Sequence, residues 1–140
     1  MLFRSGIYVL PILIAPEAPA SADISSIQAM AAFKTTFRRD LKDSDPLHWG
    51  EGVVTLSPTN IAFVGKLAPG PDYKLYLVPE YVETKKDFLR VKASARRIGD
   101  IKTFENFAVA VPEGVKLEAF NAVLVWCETF SMFITSAKYR

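Results

Sequence analysis

The feature that most constrains the fold of this chain is a series of short β-prone runs, each followed by turn-forming residues. Apolar and polar residues alternate within the runs, with the two-residue period of a half-buried strand. Clusters rich in Pro, Gly, Asn and Asp, such as residues 57–60 and 112–114, separate the runs and supply turns. The predicted strands are residues 51–57, 60–67, 73–79, 88–94, 96–103, 107–112, 122–128 and 131–139.

These runs predict an all-β fold rather than an α/β fold. No amphipathic segment of about a dozen residues recurs between them, although the crossovers of a parallel sheet need such segments. We therefore expect an antiparallel β-sandwich or barrel of seven to eight short strands with a short N-terminal helix. That helix is predicted from about Ser26 to Ala32, because Asp23 or Ser25 offers an N-cap and Gln28 stands in capping-box register.

Composition and charge exclude several functional classes. The net charge of +2 is spread over 17 basic and 15 acidic residues, which is too mild for a nucleic-acid-binding surface. The basic pair Lys85-Lys86 lies near acidic residues and is expected in a solvated loop. The sequence has no phosphate-binding glycine loop and no nucleophile elbow. One histidine and one cysteine are too few ligands for a zinc site, so no metal is expected.

The N-terminal residues have the composition of an export segment. Residues 7–15 form an apolar run, which is shorter than the roughly 20 residues needed to span a bilayer. A basic start, this run and the small residues at 20–22 fit a signal peptide, but Pro11 interrupts the run, and a shortened membrane anchor is the alternative. We expect residues 1–23 to be an apolar export or anchor segment with a Pro/Ala linker, and residues 24–140 to be the β domain.

The single cysteine, Cys127, is the main candidate for function. In strand register Val123, Val125 and Cys127 face one side, while Leu124 and Trp126 face the other. The first side is apolar, so a buried cysteine that acts as a small hydrophobic residue is one interpretation. In an exported protein, however, an unpaired cysteine is unusual. Such a thiol is kept reduced by burial, pairs with another chain, or ligates a redox centre.

His48 is the second candidate, because it is the chain's one histidine and lies in a turn before the first predicted strand. A histidine in such a turn commonly caps backbone groups or faces solvent. If the fold brought it beside Cys127, it would favour a reactive thiolate. The following loop at residues 68–72 is stiff because its two prolines fix φ, which suits either a sharp crossing between sheets or a preformed ligand rim.

Four stretches taken together resemble the DM-thirteen domain, a module found beside DOMON domains in animal matrix proteins and as stand-alone exported bacterial proteins. The resemblance runs from about Phe33 to the C-terminal end. The stretches are SDPLHWGEGVVTL (44–56), GPDYKLYL (70–77), RIGDIKTFENFAVAVP (97–112) and VWCETFSMFITSAKY (125–139).

The resemblance implies a compact all-β domain with a signature cysteine and a proposed role in electron transfer, through the thiol itself or through a bound prosthetic group such as haem. Carried over by position, Cys127 is the signature cysteine, Trp126 its neighbour and His48 the histidine of the first motif. These three residues form the candidate redox site, and Cys127 and Tyr73 are the candidate cofactor contacts. The close-packed core of a sandwich of this size leaves little room for haem.

The N-terminal segment and the resemblance together predict an exported, membrane-tethered bacterial domain, periplasmic or otherwise extracytoplasmic, with a redox partner protein and a membrane contact through its N-terminal segment. The alternative is a non-catalytic binding or matrix-interaction module in which Cys127 only packs. A small hydrolase finds no support, because no serine has a titratable partner in a recognisable order.

Overall fold

Two four-stranded antiparallel sheets make up the computed structural model, which describes residues 21–140. The strands are β1 (Phe33–Phe37), β2 (Gly50–Leu56), β3 (Asn60–Leu67), β4 (Tyr73–Val78), β5 (Arg96–Ile101), β6 (Phe107–Ala110), β7 (Ala122–Cys127) and β8 (Met132–Lys138). The strand order is β1-β2-β3-β6 in the first sheet and β5-β4-β7-β8 in the second. The predicted all-β antiparallel fold is confirmed as a sandwich, and the sheets do not close into a barrel.

The edges of the two sheets approach each other at both sides of the sandwich. β5 lies against β6 on one side, and β1 lies against β8 on the other. At the second edge Thr35 Oγ1 donates a hydrogen bond to the Lys138 carbonyl oxygen at 2.7 Å. Side-chain contacts of this kind hold the sheets together where backbone pairing stops, so each edge strand is partly covered.

The predicted strand at residues 88–94 is wrong. These residues form the end of helix α2 (Lys85–Val91) and a 3-10 turn at Lys92–Ser94. The two buried residues of the helix are Phe88 and Val91, three positions apart, which is a helical spacing. Over so short a segment, an alternation of apolar and basic residues fits both the two-residue period of a strand and the 3.6-residue period of a helix.

A side-chain cap starts this helix. Thr84 Oγ1 accepts a hydrogen bond from the Asp87 backbone N–H at 3.0 Å and so satisfies one of the free donors of the first turn. The pair Lys85-Lys86, expected in a loop, is therefore in the first turn of α2.

Strand β1 was not predicted, and it brings the total to eight strands although residues 88–94 are not a strand. Its sequence FKTTF has the required alternation but was not among the predicted runs.

The N-terminal helix α1 (Ser21–Ala29) is confirmed as an element, but it begins and ends earlier than predicted. Asp23 and Ser25 lie within it rather than capping it. The helix stops because the Ala32 backbone N–H turns to the Leu56 carbonyl oxygen at 2.8 Å, which begins the pairing of β1 with β2. Of the N-terminal segment expected at 1–23, residues 1–20 lie outside the described residues. Across residues 21–140, no helix has the length and apolar character to cross a bilayer.

Strands β4, β7 and β8 of the second sheet are buried on both faces. Its inner face packs against the first sheet and forms the inner core, which includes Val123, Val125 and Cys127 of β7. Its outer face packs under α2 and forms the outer core, which includes Leu124 and Trp126. The predicted orientation of β7 is therefore confirmed, except that the opposite face is buried as well. A strand buried on both faces explains why β7 is a continuous apolar run.

Candidate functional site

Strand β7 places Cys127 at its C-terminal end, on the inner face of the second sheet. Cys127 lies opposite Tyr73 of β4 and Met132 of β8 in the strand register. Only 3% of the residue is exposed, and it is a free cysteine. The end of a central strand is the point where the inner core meets the loops, so the thiol lies at the border between core and surface.

A surface cavity of about 540 Å³ opens at this border. His48 lies on it together with Cys127, so the fold brings two of the sequence-predicted site residues to one cavity. Tyr73 and the proline-rich loop (residues 68–72) also line it. The full lining is Leu47, His48, Pro69, Gly70, Pro71, Tyr73, Cys127, Phe130, Met132 and Ile134.

A tight turn fixes the His48 ring. Asp45 and His48 exchange backbone hydrogen bonds of 3.0 and 3.2 Å, and the Leu47 backbone N–H donates to Asp45 Oδ1 at 2.8 Å. Both carboxylate oxygens of Asp45 lie 2.9 Å from His48 Nδ1. The hydrogen bond from His48 and the one from the Leu47 N–H together hold the pKa of Asp45 below its usual value. Nδ1 is thus engaged by Asp45, which leaves Nε2 for other partners.

The proline-rich loop at residues 68–72 lines the cavity through Pro69, Gly70 and Pro71. The Ala68 backbone N–H donates to the Trp49 carbonyl oxygen at 3.0 Å, which ties this loop to the His48 turn. The Tyr73 hydroxyl donates to the Ala68 carbonyl oxygen, and burial raises the pKa of Tyr73, with Cys127 adding to the increase. Gly70 lies directly against the Tyr73 ring: a Cβ atom there would stand 2.4 Å from Tyr73 Cε1. Only glycine permits this packing.

The same loop is tied to the turn between β7 and β8. The Glu128 backbone N–H donates to the Asp72 carbonyl oxygen at 2.9 Å, and Thr129 Oγ1 donates to Asp72 Oδ2 at 2.6 Å. The hydrogen bonds from Thr129 and then from Lys74 lower the pKa of Asp72. These contacts fix Phe130, which follows directly, at the rim of the cavity. Phe130 is 64% exposed and Leu47 is 73% exposed, so the rim is apolar.

The two tryptophans take other positions. Trp126 is fully buried in the outer core, where its ring lies 4.7 Å from the Phe88 ring, and its Nε1 has no hydrogen-bond partner among the described residues. The Arg39 guanidinium lies over the Trp49 ring, with Arg39 Cζ 3.9 Å from the ring centroid. In the described part of the chain neither ring lines the cavity. Trp126 therefore adjoins Cys127 along the strand but acts from the other side of the sheet.

The sequence analysis did not identify the apolar part of the cavity. Leu47, Phe130, Met132 and Ile134 come from two separate turns and from β8. Phe130 could have been identified from the sequence, because a large aromatic residue between polar residues in a turn is unusual. The other three are ordinary strand and turn residues, and only the folded structure brings them together.

The lining does not fit haem. None of its residues is a lysine or arginine, so nothing on the cavity wall would pair with the propionates. With 3% of Cys127 exposed, the sulfur is also too deeply set for a macrocycle to lie directly over it. Among residues 21–140, no group of three or more His, Cys, Asp and Glu lies close enough together to hold a metal ion.

The comparisons with known proteins give one family. The electron transfer DM13 family matches residues 36–139, which cover both sheets except the first part of β1, together with the His48 turn, the proline-rich loop and Cys127. No curated protein and no solved structure matches the chain. Because the family match covers most of the chain, the protein belongs to the electron transfer DM13 family.

Proposed function

We propose that this domain transfers electrons through the Cys127 thiol, with His48 as the group that accepts the thiol proton. The observation that carries the proposal is that Cys127 and His48 line one cavity, although they are far apart in the sequence. A cysteine that served only for packing would need neither a cavity nor a histidine. Membership of the electron transfer DM13 family supports the same assignment.

The chemistry follows from the number of cysteines. The chain has one, so Cys127 forms a disulfide only with a sulfur atom from outside the chain. The Cys127 thiolate attacks one sulfur of an external disulfide, a new S–S bond forms, the old one breaks, and the second sulfur leaves as a thiolate. One thiolate of an external dithiol then attacks the Cys127 sulfur and releases the remaining sulfur of the first partner as a thiolate. The other thiolate of the dithiol closes its own disulfide and releases Cys127 as the thiolate. Two electrons thereby pass from the external dithiol to the external disulfide, and the mixed disulfide of Cys127 is the oxidised intermediate.

The surrounding residues have separate parts in this proposal. Asp45 holds His48 Nδ1, so the proton from Cys127 goes to Nε2. Tyr73 and the loop at 68–72 form the wall that limits access to the sulfur. Trp126 acts indirectly, because its packing on Phe88 fixes the end of β7 from the outer face. His48 and Cys127 are thus the reacting pair, and Asp45 and Trp126 are positioning residues.

We also propose that the domain works outside the cytoplasm, tethered to the membrane by its N-terminal residues, with a redox partner protein as the source of the external disulfide or thiol. The support is the apolar run at residues 7–15 followed by a Pro/Ala-rich stretch. Fractionation of cells that produce the full chain tests this. Recovery in the membrane fraction, with the domain open to protease added outside the cytoplasm, is expected.

One observation favours a second candidate, a binding module without redox chemistry. The sulfur is almost fully buried, and most of the cavity wall is apolar. Buried thiols in apolar surroundings are inert. In this candidate the cavity binds a ligand and Cys127 is part of its floor.

Exchange with a small neutral disulfide separates the two candidates. The native protein is incubated with hydroxyethyl disulfide, and the mixed disulfide is followed by intact mass. We expect one adduct per chain, no adduct with Cys127→Ser, and exchange several-fold slower with His48→Gln and with Asp45→Asn. Asp100→Asn is the matched control, because its side chain is 47% exposed against 48% for Asp45 and it pairs with Lys74 instead of His48. If an adduct forms only in denaturant, the electron-transfer proposal is refuted and the binding module is the remaining candidate.

A further inference from the structure

The cavity wall carries almost no charge. None of its lining residues is Asp, Glu, Lys or Arg, and its polar side chains are those of His48, Tyr73 and Cys127. The Tyr73 hydroxyl already donates to the Ala68 carbonyl oxygen, so its hydrogen is used. A charged ligand would lose its hydration without gaining a partner of opposite charge, which is costly. The lining therefore favours an uncharged ligand.

The hydrogen-bonding state of His48 selects the polar group of that ligand. In the neutral ring one nitrogen carries hydrogen and the other accepts. Nδ1 faces two carboxylate oxygens of Asp45, which accept only, so Nδ1 carries the hydrogen. In the neutral ring, the form that the proposed proton transfer from Cys127 also requires, Nε2 is then an acceptor, and the group that complements it is a donor such as a hydroxyl.

The walls favour a flat aromatic ring as the rest of the ligand. Tyr73 and Phe130 contribute aromatic rings to the lining, and Pro69 and Pro71 contribute apolar pyrrolidine rings against which an aromatic ring can pack. That loop is preformed, since its prolines fix φ and three backbone or side-chain hydrogen bonds attach it to neighbouring turns. A volume of about 540 Å³ lies within the range of small-molecule sites.

We propose that the His48–Cys127 cavity binds an uncharged aromatic alcohol, of the phenol or hydroquinone class, whose hydroxyl donates to His48 Nε2 and whose ring lies between the proline-rich loop and Phe130. The proposal uses the same cavity as the proposed electron transfer but does not depend on reaction of the thiol. It assigns a ligand class to a site for which the family description gives none.

Three naphthalene probes test the proposal: naphthol, methoxynaphthalene and naphthalenesulfonate. Binding to the full chain is followed by changes in backbone amide NMR signals, which also locate the site. We expect naphthol to shift signals of the residues around the cavity. Methoxynaphthalene, which lacks the donor, should bind about 3- to 10-fold more weakly, as the loss of one hydrogen bond predicts. The sulfonate should not bind.

Variants connect the binding to the cavity. His48→Phe keeps a ring but removes the acceptor, so naphthol and methoxynaphthalene should then bind equally. Phe130→Ser should weaken both probes, while Leu89→Ser, at a 49% exposed position on α2 on the far side of the second sheet, should change neither. Equal binding of the two probes to the wild type would overturn the hydroxyl assignment. Binding of the sulfonate at the cavity, or no binding of naphthol at millimolar concentration, would overturn the ligand class.

Two independent measurements on the wild-type protein, disulfide exchange and naphthol binding, separate this proposal from the redox proposal. If disulfide exchange fails and naphthol binds, the electron-transfer proposal falls and the ligand proposal stands. If exchange proceeds at the native thiol and naphthol does not bind, the reverse holds.

Discussion

Replacing Gly70 with alanine tests whether the packing of the proline-rich loop on Tyr73 shields the Cys127 thiol. The Gly70 backbone does not lie in the left-handed region, so alanine causes no backbone strain there. The added methyl group would stand 2.4 Å from Tyr73 Cε1 and 2.7 Å from its hydroxyl oxygen. Because the aromatic ring is rigid, the clash is relieved only if the Tyr73 ring moves away from the loop. Its hydrogen bond to the Ala68 carbonyl oxygen must then weaken.

The expected loss of stability follows from three contributions. Overpacking at a close contact costs about 1–3 kcal/mol. Weakening the Tyr73–Ala68 hydrogen bond costs about 0.5–1.5 kcal/mol. Removing a glycine from the unfolded chain gives back about 0.4–1 kcal/mol. The free energy of unfolding should therefore fall by about 0.5–4 kcal/mol, with a midpoint of about 2 kcal/mol.

Urea unfolding and thiol modification measure the two consequences. Tyr73 lies opposite Cys127 in the register of β4 and β7, so displacement of its ring should also speed modification of Cys127. Gly99→Ala is the matched control, because its methyl group would meet only the end of the Val109 side chain, and it should stay within about 1 kcal/mol of the wild type. Unchanged stability and an unchanged modification rate in Gly70→Ala would refute this account of the loop.

Three other substitutions have clear expected outcomes. Gly65→Ala should lower the free energy of unfolding by at least about 2 kcal/mol, because φ is +156° and a Cβ atom would stand 2.1 Å from the Glu51 carbonyl oxygen. Gly114→Ala is the control and should cost less, because its φ is +88° but the space around it is open. Equal losses of stability for the two variants in urea unfolding would contradict the steric reason. Trp126→Phe should cost about 1–3 kcal/mol through lost packing, with no hydrogen bond lost. It should also speed modification of Cys127, because Trp126 fixes the end of β7 that carries the thiol, and an unchanged rate would show that Trp126 does not position it. Glu128→Gln should flatten the acid side of the stability profile. Burial raises the pKa of Glu128, but hydrogen bonds from Lys92 and Tyr76 outweigh it and keep the pKa below the ordinary 4.5. The stabilisation is therefore complete above pH 4.5 and is lost as the pH falls through the lower folded pKa, so parallel profiles for the wild type and the variant below pH 4.5 would contradict it.

The periodic parts of the fold were predictable from the sequence, and the exceptions have local causes. The alternation in β7 correctly predicts which side Cys127 faces, because successive residues of a strand point to opposite faces. The helix α2 was missed because its apolar residues also satisfy a two-residue period over a short window, and the Thr84 cap was the signal that could have identified it. Such caps decide the choice where periodicity alone does not.

The candidate site was predictable only in part. Cys127 and His48 could be chosen by residue type, since each is the single member of its type. Their placement on one cavity depends on the hydrogen bonds that join the His48 turn to the proline-rich loop and that loop to the turn after β7. Such contacts join residues far apart in the chain, and no local pattern encodes them. The apolar rim at Leu47 and Phe130 arises in the same way.

The rate at which a small thiol reagent modifies Cys127 in the folded protein tests the central claim most directly. Methyl methanethiosulfonate is added at increasing concentrations, and the rate is compared with the rate of global unfolding measured under the same conditions. If the cavity gives access to the sulfur, the rate rises in proportion to reagent concentration, exceeds the unfolding rate and falls in His48→Gln. A rate that levels off at the unfolding rate, and is the same in His48→Gln, would contradict the account.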